Sequence, residues 1–476
     1  ANVRRRPPAP SYLVLPSGGE SEMSLTDEVR RQVVPRRWWP LLLAVVTAVV
    51  GAWAQAGGPP RVQMPRRAAP EAIRPPARHG NPVERPVAGD SAEAASEPLS
   101  VADTLSQKGS VSAGYVVLGF NDLGMHCMNQ DFSEICILPP FNTLRAQVIR
   151  RGREPEVISQ GVTLEYSIPG NTISSTKTNF WTYAPKLFGK PLAKDVGLTG
   201  NRLSGKLAPT KAGYFEVTGI PVTPLSDTRV QDPFRLSRLV AKVSGKVVAE
   251  TKAVVPVSWE INCHLCHNTP GVSVATDILR AHDRRHGTTL ERMRPVLCAG
   301  CHADAALGTP GKPGVSQFSH AMHRSHAPRM AALPNLKNNC YACHPGIQNE
   351  CQRDVHAARG MVCTDCHGDM AAVAEPTRRP WVDEPRCATC HESRRPGFDF
   401  EEPGRLFKDS RGHGDVACAA CHGPQHATGP ATTIADNAQA VQWQGKAGVI
   451  SKCTVCHTTQ PSQPFFHSRD DDQGDD

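Results

Sequence analysis

Large apolar side chains are scarce in this chain of 476 residues. Phe, Trp and Tyr together make up 5%, within a hydrophobic share of 39%, which is thin for an ordinary apolar core. No cysteine occurs before Cys127, so we expect no lipid anchor on a cysteine near the N-terminus. No platform of interleaved basic and aromatic residues is present, and nucleic-acid binding is therefore disfavoured.

Cysteine is concentrated in one short motif, Cys-x-x-Cys-His, which occurs seven times in the C-terminal half. Motifs 1 to 7 are, in chain order, Cys263/Cys266/His267, Cys298/Cys301/His302, Cys340/Cys343/His344, Cys363/Cys366/His367, Cys387/Cys390/His391, Cys418/Cys421/His422 and Cys453/Cys456/His457. This motif is the attachment signature of a c-type haem. Two thiols about one helical turn apart reach the two vinyl groups of one porphyrin, and the adjacent histidine binds its iron. The sequence therefore predicts seven covalently bound haems c.

Paired cysteines with a histidine also bind zinc, and cysteine-rich chains also form disulfide frameworks. A zinc site needs two further ligands at a paired spacing, and neither alternative requires one identical five-residue unit. The haem interpretation also explains the weak apolar composition. With so few residues for each motif, the porphyrins themselves must supply much of the buried apolar mass.

The formal charge of +8 is unevenly distributed. Residues 1–256 hold 31 Lys and Arg against 21 Asp and Glu, whereas residues 257–476 hold 22 against 24. Two ionised propionates on each haem would add further negative charge. We therefore expect the loaded C-terminal region to be acidic.

The N-terminal part is typical of an exported protein. Residues 1–22 are interpreted as lying upstream of the true start at Met23, and residues 23–56 as a signal peptide. This peptide has a basic n-region, an apolar h-region over Leu41–Val50 and a small-x-small cleavage site within Ala52–Ala56. An uncleaved anchor over Trp38–Ala56 is the alternative, although its minimal length and Pro40 favour cleavage. Residues 57–110 form a Pro-rich linker that cannot bury enough surface to order itself.

Residues 111–257 change character and predict a small all-β sandwich of about seven strands. Runs rich in Val, Ile, Thr and aromatic residues, separated by turn signals, are Tyr115–Phe120, Thr143–Ile149, Val162–Ile168 and Tyr214–Ile220. A hairpin is expected at Ser244-Gly245, and no catalytic constellation is evident. Residues 258–467 then form a heptahaem cytochrome domain of short helices and irregular segments, followed by an acidic tail over residues 468–476.

Three cysteines lie outside the motifs: Cys127, Cys136 and Cys351. In an oxidising compartment we expect a local disulfide between Cys127 and Cys136, with Cys351 free or bonded across domains. A copper site is the alternative at Cys127, because His126 and Met128 flank it with further soft ligands.

Each haem iron needs a second axial ligand or keeps one face open. Twelve histidines lie outside the motif position. His79 falls in the linker, and His264 sits inside motif 1, where it cannot reach the far face of that haem. We predict as distal ligands His282, His286, His323, His326, His356, His413 and His426, with His126, His320 and His467 in reserve. Taken singly, each could be a surface imidazole. Together they are enough to give each of the seven haem irons a second axial ligand.

Over residues 257–467 the chain resembles the multihaem c-type cytochromes, especially secreted ones from bacteria that respire extracellular acceptors. In several of these a β-sandwich accompanies the haem-rich domain. The resemblance implies closely packed bis-His haems that act as an electron wire in the periplasm or at the cell surface. It also implies redox partner proteins or extracellular acceptors and, in some relatives, filaments. The short spacing from Cys340 to Cys387 suggests that haems 3 to 5 lie closest.

Two classes of function compete on these residues. Enough histidines are present to close all seven irons, which favours an electron carrier over an enzyme. The alternative is a multihaem oxidoreductase acting on nitrite, hydroxylamine or a sulfur oxyanion at one open haem. Such enzymes usually carry an altered motif or a catalytic side chain beside the open haem, and neither is found in the sequence.

Overall fold

The computed structural model describes residues 114–330, 333, 336–394, 400–402, 404–462 and 467. The predicted leader, signal peptide, Pro-rich linker and acidic tail lie outside these residues. The strands are β1 Tyr115–Phe120, β2 His126–Cys127, β3 Ile135–Cys136, β4 Asn142–Arg150, β5 Glu156–Ile158, β6 Val162–Ser167, β7 Ser204–Pro209, β8 Phe215–Ile220, β9 Leu236–Val243, β10 Lys246–Val254, β11 Val257–Ser258 and β12 Val296–Leu297. The α-helices are α1 Phe180–Phe188, α2 Val274–His286, α3 Phe318–Met330, α4 Cys363–His367, α5 Met370–Val373, α6 Ala388–Arg394, α7 Cys418–His422 and α8 Ile434–Gln444.

Eight of the strands form one antiparallel sheet in the order β1-β4-β8-β7-β6-β9-β10, with β5 paired to β4. The four apolar runs singled out in the sequence become β1, β4, β6 and β8, so the antiparallel β domain is confirmed. The predicted hairpin is also confirmed. Ser244 and Gly245 have φ values of 50° and 78° between β9 and β10, the left-handed pair that a two-residue hairpin turn requires.

The sheet curves into a barrel-like layer, whereas the sequence predicted two facing sheets. β7 pairs with both β6 and β8, so the hydrogen-bonded path is continuous where a sandwich would have a gap. Its two end strands also approach each other. A Cβ added at Gly119 on β1 would collide with Leu239 of β9 and lie 2.9 Å from Ala253 of β10. Only glycine allows that approach.

β1 is buried on both faces, which explains its unbroken apolar run. Val117 packs inside the barrel core, where α1 contributes Phe180. Val116 and Leu118 point the other way, into a second cluster that contains Ala419 and Ala420 of α7. The outer face of β1 therefore carries motif 6. One apolar strand thus joins the barrel to the C-terminal region.

Short helices and 3-10 turns make up the C-terminal region, as the sequence predicted. The two longest helices, α2 and α3, carry histidine clusters. α2 begins at Ser273, whose side chain accepts the backbone N–H of Thr276, and ends at Gly287 with φ 65°, an ordinary pair of helix caps. The 3-10 helices are Cys263–Leu265, Leu290–Met293, Cys298–Gly300, Asn339–Ala342, Ala357–Arg359, Phe407–Asp409, His413–Asp415 and Cys453–Val455. In the described part of the chain, no helix is both long and apolar enough to cross a bilayer.

Candidate haem-binding site

Each motif folds as a single tight turn. In motif 1 the backbone N–H of His267 donates to the carbonyl of Cys263 at 2.9 Å, and the same bond joins histidine to first cysteine in motifs 2, 3, 5 and 7 at 2.9–3.0 Å. Motifs 4 and 6 are the short helices α4 and α7. One turn of backbone places both thiols and the imidazole of a motif around one small volume. The cysteine pairs are thus consistent with haem-binding motifs.

In motifs 1 and 2 the turn holds the two cysteines of each pair together. The backbone N–H of each second cysteine, Cys266 or Cys301, donates to the carbonyl of the first at 3.1 Å. Cys266 is exposed, and the other three cysteines are half-buried. Burial raises the pKa of Cys263 and of Cys298 to about 12. Their attachment to haem stays a prediction.

Six motif histidines face a second imidazole. The pairs, with the distance between ring centroids, are His302 with His282 (6.4 Å), His344 with His323 (6.2 Å), His367 with His426 (6.0 Å), His391 with His356 (6.2 Å), His422 with His467 (5.8 Å) and His457 with His413 (6.0 Å). In every pair one ring belongs to a motif and the other does not. The narrow range of distances indicates a common geometric cause.

The spacing fits an iron between the two rings. A metal–nitrogen bond is about 2 Å long. Bonds of about 1.3 Å in a five-membered ring place each nitrogen about 1.2 Å from the ring centre. Two imidazoles on opposite sides of one metal therefore have centroids about 6 Å apart. Direct stacking of two rings would bring them closer, so the donor set fits a haem iron with two histidines.

The seventh motif histidine, His267, lies near His326. Burial lowers the pKa of His267, Asp277 opposes this shift, and the imidazole of His326 adds to it. His326 follows His323 by three residues on α3. The same helix therefore offers imidazoles to motif 1 and motif 3.

Hydrogen bonds hold several of these rings by Nδ1. The partners are the carbonyls of Ser316 for His302 (2.7 Å), Ser319 for His323 (2.8 Å), Met322 for His326 (2.7 Å) and Arg153 for His457 (2.8 Å), the Thr288 hydroxyl for His282 (2.9 Å) and the Asp354 carboxylate for His356 (3.1 Å). Such a bond fixes the tautomer and turns the other nitrogen, Nε2, toward a metal. The Arg153 and Ser316 carbonyls were not predicted, because any residue type offers a carbonyl.

Two reserve histidines engage Nε2 instead. In His126 this nitrogen lies 2.8 Å from Asp122 Oδ1, within the barrel domain. In His320 it lies 2.7 Å from the carbonyl of Arg378. Both rings therefore use, in a protein hydrogen bond, the nitrogen that a ligand would offer to iron.

His286 and His467 differ from the expectation. The exposed ring of His286 packs on the ring of His282, with centroids 4.8 Å apart. The ring of His467, held only in reserve, lies opposite that of His422 at 5.8 Å and stacks on the ring of Phe400, with centroids 4.5 Å apart. The sequence offered no signal for this difference, because nothing in it tells which of the two imidazoles lies opposite a motif histidine.

Burial keeps several of these imidazoles neutral. It lowers the pKa of His367 to about 4, and the neighbouring charges of His426, Arg378 and His323 act in the same direction. Burial also lowers the pKa of His323, against the opposing hydrogen bond to Ser319. A neutral ring is the form that binds metal.

Neighbouring motifs touch through specific contacts. Asn262, just before motif 1, donates to the carbonyl of Tyr341 in motif 3 at 3.0 Å. The thiols of Cys340 in motif 3 and Cys363 in motif 4 share a hydrogen bond. The N–H of Ile450, ahead of motif 7, donates to the carbonyl of Cys421 in motif 6 at 3.0 Å.

An electrostatic interaction between thiols also relates motif 1 to motif 3. Burial raises the pKa of Cys343 in motif 3, and the neighbouring thiol of Cys266 in motif 1 raises it further. The exposed second cysteine of motif 1 therefore lies on the side of that motif that faces motif 3.

The remaining cysteines do not pair as predicted. Cys127, Cys136 and Cys351 are all free thiols. Cys127 and Cys136 lie on separate short strands, β2 beside β11 and β3 beside β12. The predicted local disulfide is wrong because these strands pair with different neighbours. Among the residues that the structure describes, no group of three or more His, Cys, Asp or Glu side chains could hold a metal ion.

Comparisons with known proteins add little. The chain matches no protein-family model, and a search of characterised proteins finds no significant relative. Among solved structures it is similar to the crystal structure of MtrC from Shewanella baltica OS185, with 14% identity, a TM-score of 0.13 and coverage of 59% of this chain and 44% of that one. The chain thus spans less than half the length of that protein, and a TM-score this low carries no argument.

Proposed function

We propose that the protein is an electron-transfer protein that binds seven c-type haems covalently, each with two axial histidines. The observation that carries this proposal is the repeated pairing of a motif imidazole with a second imidazole at 5.8–6.4 Å. When bound, each haem supplies a one-electron ferric/ferrous couple.

The proposed axial ligands are those predicted from the sequence, except that one histidine is exchanged for another. Motifs 2 to 7 take His282, His323, His426, His356, His467 and His413, and motif 1 takes His326. His467 thus replaces His286. The choice rests on the ring facing each motif histidine and, for motif 1, on the electrostatic contact between His267 and His326. Seven pairs close both faces of all seven irons.

Closed irons favour a carrier over an enzyme. A substrate such as nitrite needs a vacant coordination position, and two imidazoles leave none. The alternative oxidoreductase would need at least one motif histidine without an opposing ring. Because every motif has a candidate partner, the geometry supports electron transfer better.

Contacts between motifs support a path through motifs 1, 3, 4, 6 and 7. Motifs 1 and 3 share helix α3, whose His326 and His323 face them. Motifs 3 and 4 meet at the Cys340–Cys363 thiols. His426, the proposed ligand for motif 4, follows His422 of motif 6 by one short turn, and motif 7 is bonded to motif 6 through Ile450. We infer the order 1-3-4-6-7 for the main path.

Motif 5 fits beside this path, between motifs 4 and 6. The thiol of Cys366 in motif 4 is electrostatically coupled to Cys390 of motif 5, and Cys387 of motif 5 is coupled to Cys418 of motif 6. Motif 5 therefore offers a parallel route. Closely spaced redox groups of this kind pass electrons because of where the protein holds them, and the surrounding side chains tune their reduction potentials.

The proposed setting is outside the cytoplasmic membrane, where haem attachment by this motif takes place and where the leader would direct the chain. Redox partner proteins or extracellular acceptors would then exchange electrons with it. Self-association into filaments remains part of the proposal, with the same chemistry.

Mass analysis and spectroscopy of the purified holoprotein test the proposal together. We expect a mass equal to the chain plus seven covalently attached haems, a fully low-spin ferric spectrum and no cyanide binding. A chain without covalent porphyrin would contradict haem attachment. A high-spin centre that turns over nitrite or hydroxylamine would support the oxidoreductase instead.

A further inference from the structure

Two of the three cysteines outside the motifs, Cys127 and Cys351, lie in one neighbourhood. Cys127 is on β2, at the edge of the barrel, and Cys351 is in the loop between motifs 3 and 4. Cys136 lies opposite Leu297 on β12, and its thiol interacts electrostatically with Cys298, a cysteine that motif 2 would use to attach its haem. Cys127 and Cys351 are therefore the pair left for each other.

Hydrogen bonds tie the backbone near Cys127 to the backbone near Cys351. β2 runs parallel to β11, with Cys127 opposite Ser258. The hydroxyl of Ser258 donates to Asn349 Oδ1 at 2.7 Å. The N–H of Asn349 in turn donates to the carboxylate of Glu260 at 2.7 Å. The strand pairing with Ser258 and the hydrogen bond from Ser258 thus connect Cys127 to Asn349, two positions before Cys351.

A second set of contacts converges on His426 from both sides. A Cβ added at Gly124, three residues before Cys127, would lie 3.4 Å from His426 Cβ and collide with the carbonyl of Gln425. The thiol of Cys351 hydrogen-bonds to the His426 side chain. The segments that carry the two cysteines therefore pack around the same residue.

The environment of Cys127 agrees with this placement. Burial raises the pKa of the Cys127 thiol, and the nearby Cys351 and Glu260 raise it further. The electrostatic effect of Cys351 on Cys127 agrees with the backbone contacts that bring the two segments together.

We propose that Cys127 and Cys351 form a disulfide that staples the barrel to the haem-binding region. Two S–H bonds break and one S–S bond forms, which releases two electrons and two protons. A protein disulfide of the thiol-oxidase class takes both electrons and both protons and becomes a dithiol. Such proteins act in the same compartment as the proposed haem attachment. The disulfide does not depend on how the irons are ligated.

The cross-link would fix a long-range contact. It closes a chain segment that contains most of the barrel and motifs 1 to 3, and long closed loops restrict the unfolded chain most. It would also hold the loop beside His426, which we propose as the distal ligand of motif 4. The staple would therefore preserve the position of one axial ligand relative to the barrel.

Peptide mapping of the wild-type holoprotein, alkylated without reduction, tests the proposal directly. We expect a cross-linked peptide containing Cys127 and Cys351, with Cys136 alkylated. A peptide joining Cys127 to Cys136 would overturn the proposal, as would alkylation of both Cys127 and Cys351. This result is read independently of haem content, which is measured on the same sample, so a failure here is distinct from a failure of the proposed function.

Stability gives a second readout. Cys127→Ser, Cys351→Ser and the double variant should all lower the Tm of the holoprotein by the same amount, about 5 °C. A phosphine reductant, which leaves thioether bonds intact, should lower the Tm of the wild type equally and that of Cys351→Ser not at all. Additive losses in the double variant, or a wild type insensitive to the reductant, would contradict the cross-link.

Discussion

The imidazole rings of His323 and His344 lie 6.2 Å apart, with planes only 19° from parallel. One ring comes from helix α3 and the other from the turn of motif 3. The carbonyl of Ser319, one turn earlier on α3, holds Nδ1 of His323. The helix therefore both delivers the ring and sets its tautomer, leaving Nε2 for a metal.

Removal of His323 should open one iron. His323→Ala is expected to convert about one seventh of the ferric haem signal from low-spin to high-spin and to create one cyanide-binding site. The matched control is His320→Ala on the same helix, because Nε2 of His320 is engaged in a hydrogen bond to the Arg378 carbonyl. Visible and electron paramagnetic resonance spectra measure both. If His320→Ala produced as much high-spin haem as His323→Ala, the assignment of His323 as an axial ligand would be refuted.

The exchange of His286 for His467 can be tested in the same way. His467→Ala should give one high-spin haem, because His467 faces His422 at 5.8 Å. His286→Ala should leave the spectrum unchanged, because its exposed ring packs on His282. Carbon monoxide binding to the reduced variants counts the open irons. The reverse pattern would restore His286 as a ligand.

The relative orientation of paired rings should appear in the magnetic spectrum. His282 and His302 are nearly perpendicular at 88°, whereas the His323/His344 pair is nearly parallel. Parallel imidazole planes act on the same iron d orbital and split the d levels strongly, while perpendicular planes cancel this effect. We expect both kinds of low-spin ferric signal in the wild type. His282→Ala should remove only perpendicular-type signal, and loss of parallel-type signal instead would contradict the pairing.

A buried ion pair holds the loop after motif 3 to helix α8. Arg353 and Asp436 are 0% and 3% exposed at their side chains, and two hydrogen bonds of 2.6 and 2.9 Å join them. Arg353→Met leaves Asp436 buried without its partner and should cost about 3–5 kcal/mol of unfolding free energy. Arg379→Met, at an exposed pair with Asp383, should cost less than about 1 kcal/mol. Denaturant unfolding compares the two variants, and equal losses would argue against the burial.

Tyr166 links the stability of the barrel to high pH. Burial raises its pKa from 10.0 to about 12, and its hydroxyl donates to the Arg202 carbonyl at 2.7 Å. Above pH 10 the unfolded chain loses this proton while the folded chain retains it, so the contribution to stability is complete below pH 10 and falls as pH rises.

Tyr166→Phe isolates this effect. At pH 8 the variant should be about 1 kcal/mol less stable, because the hydrogen bond to Arg202 is lost. By pH 11 the wild type should lose about 1.4 kcal/mol relative to the variant, so the variant becomes at least as stable as the wild type. Denaturant unfolding at the two pH values measures it. A difference that stays constant with pH would show that the hydroxyl titrates normally.

Much of the β domain followed from local pattern. β1, β4, β6 and β8 begin and end within one or two residues of the predicted apolar runs, and the turn at Ser244-Gly245 is where the sequence put it. The closure into one barrel-like sheet was not predictable, since it depends on β7 pairing on both sides. Helix α1 was also missed, because its aromatic side chains suit a strand equally well.

The candidate haem sites also divide into features that the local sequence predicts and features that only the fold decides. The sequence alone determined how many haem motifs there are and which histidine belongs to each, because a single turn of five residues brings those groups together. Only the tertiary structure decided which imidazole faces which motif and which thiol lies beside Cys127. All free imidazoles are chemically alike, and partners such as His367 and His426 come from distant parts of the chain, so their pairing depends on the packing of the whole fold.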